Sequence, residues 1–435
     1  MKRYELIPDD DNIKATINED LLGRNKKLIN LMKLLNNINE NFLMSIDGEW
    51  GTGKTFFVKQ LKYICENIEN IEYIKNHKDY EKILQFSNKY LPIYYNAWEN
   101  DNHGDPLESI IYNILDQYPQ YRKEIENPEG VFSSVKTILL NIIDKGSFGI
   151  ISKECFEQLN SFEELSKNIF TVEEIIGAVN ELFNKILNDD SRLLLIIDEL
   201  DRCRPDYAVK MLETLKHFYN NQKLTIVVVT NNKQLSYTIR KYYGNEFDGY
   251  GYLNKIYDTV ITLETENLDN YLKRHCQIIN STHLPENMSA LLFNLLHFSY
   301  RECNKYMSMY RIVEPYTNYQ DDFNRNRYIF ETDMLLPIAL ALKIKNIEEY
   351  SRFINGESEA FIKKLLSSIP YIDHDNVYEN WFKEILRVQE DETLEAVFIR
   401  RYKALFTRRP KYDDFPYLEA ISMLGNSINF FEEQE

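Results

Sequence analysis

Residues 48 to 55, Gly48, Glu49, Trp50, Gly51, Thr52, Gly53, Lys54 and Thr55, follow the pattern GxxxxGK[ST] without a departure. The chemistry this pattern suits is the holding of a polyphosphate. Glycines let the backbone wrap closely round an anion and aim successive N–H groups at it. The N-terminus of a helix opening over Lys54, Thr55 and Phe56 adds its partial positive charge. Lys54 is expected to reach the β- and γ-phosphate oxygens, and the Thr55 hydroxyl to bind Mg2+. The plain alternative is a glycine-rich strand-to-helix turn that holds nothing.

Such a site needs a second carboxylate group at the end of a neighbouring strand, and residues 193–201, LLLIIDELD, supply one. Asp198 is expected to hold the metal through water, and Glu199 to orient or deprotonate the attacking water. Acidic residues also close strands and open helices for electrostatic reasons alone. Two halves of one site in the proper order in one chain weigh against that account. Asn231, with Thr230 beside it, suits a γ-phosphate sensor and equally an ordinary polar strand end. Gly23 and Arg24 suit either an adenine pocket or a surface helix start.

The elements that must position these residues are legible as periodicities. Apolar runs at Phe42–Ile46, Leu91–Trp98, Leu193–Ile197, Ile226–Val229 and Thr259–Leu263 read as strands, while residues 25–39, Thr55–Cys65 and Val172–Leu187 carry helical spacing. Strands apolar on both faces and separated by helices predict an α/β fold: a parallel sheet flanked by helices around a phosphate-binding loop. A largely helical insertion is expected over residues 107–190. The strand signal fades after residue 265, so the expected division is a nucleotide-binding core over 1–265 and a helical lid and C-terminal region over 266–435.

Composition narrows the classes further. With 51 basic and 68 acidic side chains the net charge is −17, which disfavours a broad cationic face for nucleic acid. Glycine and proline together make 14 + 12 = 26 of 435 residues, about 6% against about 12% in an average chain, so collagen-like and turn-rich architectures are excluded. Five widely spaced cysteines without a CxxC pair indicate a reducing compartment. The start lacks an apolar signal region, and Val131–Ile151 carries Lys136, Asp144 and Lys145, which is too charged to span a membrane. A cytoplasmic protein without membrane attachment is the expectation, and the dispersed histidines predict no structural zinc.

Five segments in order, SIDGEWGTGKT, YYNAWENDNHGDPL, LLLIIDELDRCRPDYAVKMLETLKHFY, VVVTNNKQLSYTIRKYYG and GYLNKIYD, resemble the KAP family of P-loop NTPases across residues 15–310. The resemblance implies ATP binding and hydrolysis by Gly48–Thr55 with Asp198 and Glu199, and places Asp201-Arg202 in the signature that follows the metal carboxylate. It implies an ATPase cycle that drives a conformational change in the helical region and in a homo-oligomer or separate effector protein. Phage defence is a family-level implication. Many members carry transmembrane helices between the two motifs; residues 99–190 show none. The family also has an arginine where Arg301 stands, a γ-phosphate sensor or an ordinary solvent-facing helix arginine.

Three readings remain. Arg202 and Arg204 suit an arginine finger across a subunit interface, or salt bridges to Asp201 or Asp206. The basic, aromatic-interleaved residues 400–411 are the best nucleic-acid candidate, against a solvated helix face. The alternatives to a turning-over ATPase are a nucleotide-dependent binding switch or scaffold, and a nucleic-acid-stimulated sensor.

Overall fold

The protein is described here from a computed structural model. It describes residues 6–103, 105–126, 172–187, 190–218, 223–265, 268–274, 284–313, 329–368, 383 and 385–407. Much of the expected helical insertion and residues 408–411 of the basic segment lie outside that range. The chain divides into two compact units: one of residues 7–20 and 24–264, the other of Leu21–Gly23 with the chain from Thr265 onward.

The first unit is built on five parallel strands, β1 (Phe42–Asp47), β2 (Tyr90–Asn96), β3 (Arg192–Asp198), β4 (Leu224–Thr230) and β5 (Thr259–Thr262), in the order β2-β3-β4-β1-β5. Every position of β3 and β4 is buried, whereas β5 at the edge alternates between half-buried and exposed. This is why the central strands read as unbroken aliphatic runs, since both faces are covered. Helices α1 (Asp10–Asn18), α2 (Asn25–Asn36), α3 (Lys54–Asn67), α4 (Tyr80–Lys89), α5 (Pro106–Gln117), α6 (Val172–Ile186), α7 (Pro205–Phe218), α8 (Asn232–Tyr243) and α9 (Gly249–Ile256) belong to this unit.

The register puts the functional strand ends in one line. Asn96 pairs with Asp198, Asp198 with Val229, and Asp47 with both Thr230 and Thr262. Five carboxyl ends therefore open on one edge, the edge at which parallel α/β sheets bind ligands. Because β4 lies between β1 and β3, the loop after β1 and the acidic pair after β3 flank the end of β4 from opposite sides.

One expected strand ends early. The apolar run to Trp98 suggests a strand through that residue, but β2 stops at Asn96. The Asn96 side-chain oxygen accepts from the backbone N–H groups of Trp98 at 3.1 Å and Glu99 at 3.3 Å. That local turn competes with the sheet ladder and releases Trp98 from it.

The described residues of the second unit hold no strand. Its helices include α10 (Leu284–Leu295), α11 (Tyr300–Val313), α12 (Leu336–Lys345), α13 (Ile347–Ile354), α14 (Glu359–Ser367) and α15 (Leu394–Thr407). Leu336 to Leu342 of α12 are buried without interruption, as expected of a central helix. Phe293, Phe298 and Tyr306 form an aromatic cluster, and the Tyr402 hydroxyl donates to Phe353 O at 2.7 Å while accepting from Ser358 N at 3.1 Å.

Candidate functional site

The loop between β1 and α3 folds as its glycines require. Gly51 and Gly53 have φ of 84° and 83°, the left-handed region that costs other residues roughly 1–2 kcal/mol. A Cβ on Gly48 would stand 2.5 Å from the Leu263 carbonyl oxygen, so β5 and the loop can close together only on a glycine. Phe57 N returns to Gly53 O at 3.1 Å. The first-turn N–H groups of Lys54, Thr55 and Phe56 thus lie ahead of the helical ladder and point out of the helix N-terminus. The Phe56 side chain is buried in the core; only its backbone belongs to the loop.

Lys54 Nζ donates to the carbonyl oxygens of Gly48 at 2.5 Å and Glu49 at 3.0 Å. Burial lowers its pKa below the ordinary lysine value, against the opposing pull of Asp201, Asp198 and Asp47. An anion in the loop would give this ammonium stronger partners than carbonyls. Thr52 folds back on Glu49 through side-chain and backbone hydrogen bonds, and Trp50 Nε1 donates to Asp201 Oδ2 at 2.6 Å.

Asp198 is nearly inaccessible, with 2% of its surface exposed. Burial, reinforced by the Glu199 charge, pushes its carboxyl up to about 6, while hydrogen bonds from Thr55, Tyr94 and the Glu199 N–H hold it down. Tyr94 OH donates at 2.9 Å and Glu199 N at 2.8 Å. Thr55 and Asp198, distant in sequence, therefore share one hydrogen bond. Their hard oxygen donors suit Mg2+, with phosphate and water oxygens completing its shell. A buried carboxylate whose hydrogen-bond donors are neutral is also what a cation would stabilise.

Glu199 adopts a left-handed conformation, φ 61° and ψ 26°, and opens the single turn Leu200–Arg202. This is an uncommon backbone state for a non-glycine residue, of the kind that collects at functional sites. Its carboxylate meets Arg202 Nη2 at 2.7 Å and Asn96 Nδ2 at 3.4 Å.

The remaining expected residues divide. Asn231 caps α8, its side chain accepting from Gln234 N at 3.1 Å, at the end of β4 beside the loop. Thr230 pairs with Asp47 and its carbonyl accepts from Gly48 N at 3.3 Å; its hydroxyl is buried with no hydrogen-bond partner among the described residues. Arg24 is no surface helix start: it is 1% exposed, with its guanidinium donating to Glu264 O, because β5 and the segment after it fold over the start of α2. Gly23 occupies a left-handed turn at φ 65° and belongs to the second unit, as does Arg301, exposed on α11. Neither Asp201 nor Asp206 is the ion-pair partner found for the two arginines. Arg202 pairs with Glu199, three residues back across the turn, and Arg204 with Asp101, whose carboxylate also accepts from Arg204 N at 3.2 Å. In the basic segment, Arg400 pairs with Glu392 and Lys403 with Glu359.

Tyr94, Asn96 and Trp98 entered no sequence-derived site. The signal was the polar Asn96 closing an apolar run, and only the β2–β3 register tells which acidic residues it meets.

The family model described as the KAP family P-loop domain matches residues 24–310. Among solved structures, the chain is similar to a Walker-type ATPase of Pyrococcus abyssi, at 14% identity and TM-score 0.37 over 91% of this chain and 99% of that one. It is also similar to Cdc6p of Pyrobaculum aerophilum, at 14% identity and TM-score 0.36 over 97% of this chain and 90% of that one. No curated protein matches. Among the described residues, no helix is long and apolar enough to cross a membrane. With its phosphate-loop geometry, its parallel strand order and a family match that spans well over half its length, the chain belongs to the KAP family of P-loop NTPases.

Proposed function

We propose that this chain binds ATP with Mg2+ and hydrolyses it. The supporting observation is the meeting of Thr55 and Asp198, with Lys54 close enough for Asp198 to act on its charge, at the sheet edge where Gly48–Phe56 turns backbone N–H groups outward. Lys54 would leave the Gly48 and Glu49 carbonyls for phosphate oxygens, and the N–H groups of the loop and first helical turn would orient the phosphate chain. Bound Mg2+ would offset phosphate charge, held through the Thr55 hydroxyl and through water on Asp198. Glu199 would accept a proton from the attacking water. Asn231 would face the terminal phosphate from the end of β4. Arg24 would stand near the base, and a γ-phosphate-sensing role for Arg301 comes from the family resemblance alone. The cycle would drive the helical region, and through it an oligomer or effector protein; phage defence comes from the family resemblance alone.

Lys54→Ala should abolish ATP binding measured by equilibrium dialysis. Glu199→Gln should keep binding and lose phosphate release. Equal turnover in wild type and Glu199→Gln would remove Glu199 from the mechanism.

A second reading, a scaffold that holds nucleotide and turns it over slowly, is favoured by the engagement of both Glu199 oxygens. ATP recovered intact with the purified protein would support it. A nucleic-acid-stimulated sensor is less favoured, because Arg400 and Lys403 already have acidic partners; turnover unchanged by single-stranded DNA or RNA at low salt would exclude it.

A further inference from the structure

Glu199 does not present a carboxylate free to turn. One oxygen, Oε1, lies 2.7 Å from Arg202 Nη2, and the other accepts from Asn96 Nδ2 at 3.4 Å. The two donors come from different elements, the turn after β3 and the end of β2. The carboxylate plane is therefore fixed at both ends, and rotating it toward a water means breaking one of these contacts. The shorter, charge-assisted contact is the stronger restraint.

Arg202 is itself braced. Its guanidinium lies over the Trp98 indole, 5.4 Å from the ring centroid, within the range of a cation–π attraction. Trp98 is 50% exposed, an unusual place for so large an apolar ring, and the Asn96-centred turn carries it out of β2 to this position. The left-handed backbone at Glu199 is what brings residue 202 back over residue 199. Sequence neighbours thus form a closed set: Asn96 and Trp98 from one strand end, Glu199 and Arg202 from the next.

We infer that Arg202, braced by Trp98, is a positioning residue that restrains Glu199, so that turnover requires the Arg202–Glu199 ion pair to open and leave an oxygen able to accept a water proton. This rests on the reading of Glu199 as the base. The restraint is read in the catalytic step; Arg202 also lies near enough to Lys54 to act on its charge, so kcat and nucleotide affinity are followed separately. The side chains of Arg202 and Glu199 are 29% and 14% exposed, so the ion pair is accessible enough to exchange.

The test is steady-state phosphate release by the full chain with MgATP, comparing wild type, Arg202→Ala, Arg202→Lys, Trp98→Ala, the Arg202→Ala/Trp98→Ala double variant and Glu199→Gln. Arg202→Ala should raise kcat about fivefold, the scale of a partly exposed ion pair; a rise in KM would report the lost cation near Lys54 and not the restraint. Arg202→Lys, which keeps a cation in reach of Glu199, should fall back toward the wild-type rate. Trp98→Ala should give a smaller rise, and the double variant should match Arg202→Ala alone, since the indole acts through the guanidinium. An Arg202→Ala kcat at or below wild type, with wild type above Glu199→Gln, would overturn the restraint and leave the base intact. If neither wild type nor Arg202→Ala exceeds Glu199→Gln, Glu199 is not a base and the restraint falls with it.

Discussion

Asp198 carries a charge that burial makes costly and that the proposed Mg2+ would offset. Its unfolded-state pKa is near 3.8 and burial pushes the folded value up to about 6. The folded chain therefore binds more protons than the unfolded chain between those values, and the stability associated with this group, complete below about pH 4, is lost as pH rises through 6. The difference between 3.8 and about 6 corresponds to roughly 3 kcal/mol as an upper figure. Asn at this position removes the charge and keeps one acceptor oxygen, for the Tyr94 hydroxyl, but sets its NH2 where Asp198 Oδ1 accepts from Glu199 N, a cost that does not change with pH. Asp198→Asn should therefore gain on wild type in melting temperature as pH rises from 4 to 8 without nucleotide, starting from below wild type near pH 4. The same variant should lose the stabilisation that Mg2+ and ATP together give the wild type. A difference between the two that stays constant from pH 4 to pH 8 would mean that the Asp198 charge carries no burial cost in the folded protein.

At the level of elements, Asn231 is a cap before it is anything else. Its side chain satisfies Gln234 N at the start of α8, so Asn231→Ala should cost about 1 kcal/mol in denaturant unfolding. Asn231→Asp keeps the acceptor and should restore most of that stability. Turnover restored as well would leave Asn231 a structural cap; turnover still lost would support contact with the terminal phosphate. This ambiguity belongs to the sequence itself, since Asn is equally suited to both tasks.

The strands were legible because β3 and β4 are buried on both faces and so carry unbroken aliphatic runs, Leu193–Ile197 and Ile226–Val229. The loop was legible because Gly51 and Gly53 answer a backbone requirement that few other residues meet. The end of β2 was not, because the turn is made by one side-chain oxygen of Asn96 and not by glycine or proline. Nor was the partner of Arg202, which depends on a left-handed Glu199 that no spacing rule announces.

For the whole molecule, the charge of −17 bears directly on the ligand. Lys54 lies among Asp201, Asp198 and Asp47, with Arg202 as the other cation acting on it. Glu199 adds its charge beside Asp198. A free ATP tetra-anion approaching this edge meets more negative than positive charge, in a chain whose overall field also repels it. Mg2+ should therefore be needed for binding and not for hydrolysis alone. Removing it with EDTA should weaken ATP affinity at least about tenfold at low ionic strength, and the loss should shrink as salt shortens the screening length from about 14 Å toward 6 Å. Asp198→Asn, with one carboxylate fewer, should bind metal-free ATP more tightly than wild type does. Titration calorimetry at two salt concentrations checks all three expectations. Equal affinity with and without Mg2+ would show that the backbone N–H groups and Lys54 hold the phosphates against the surrounding carboxylates by themselves.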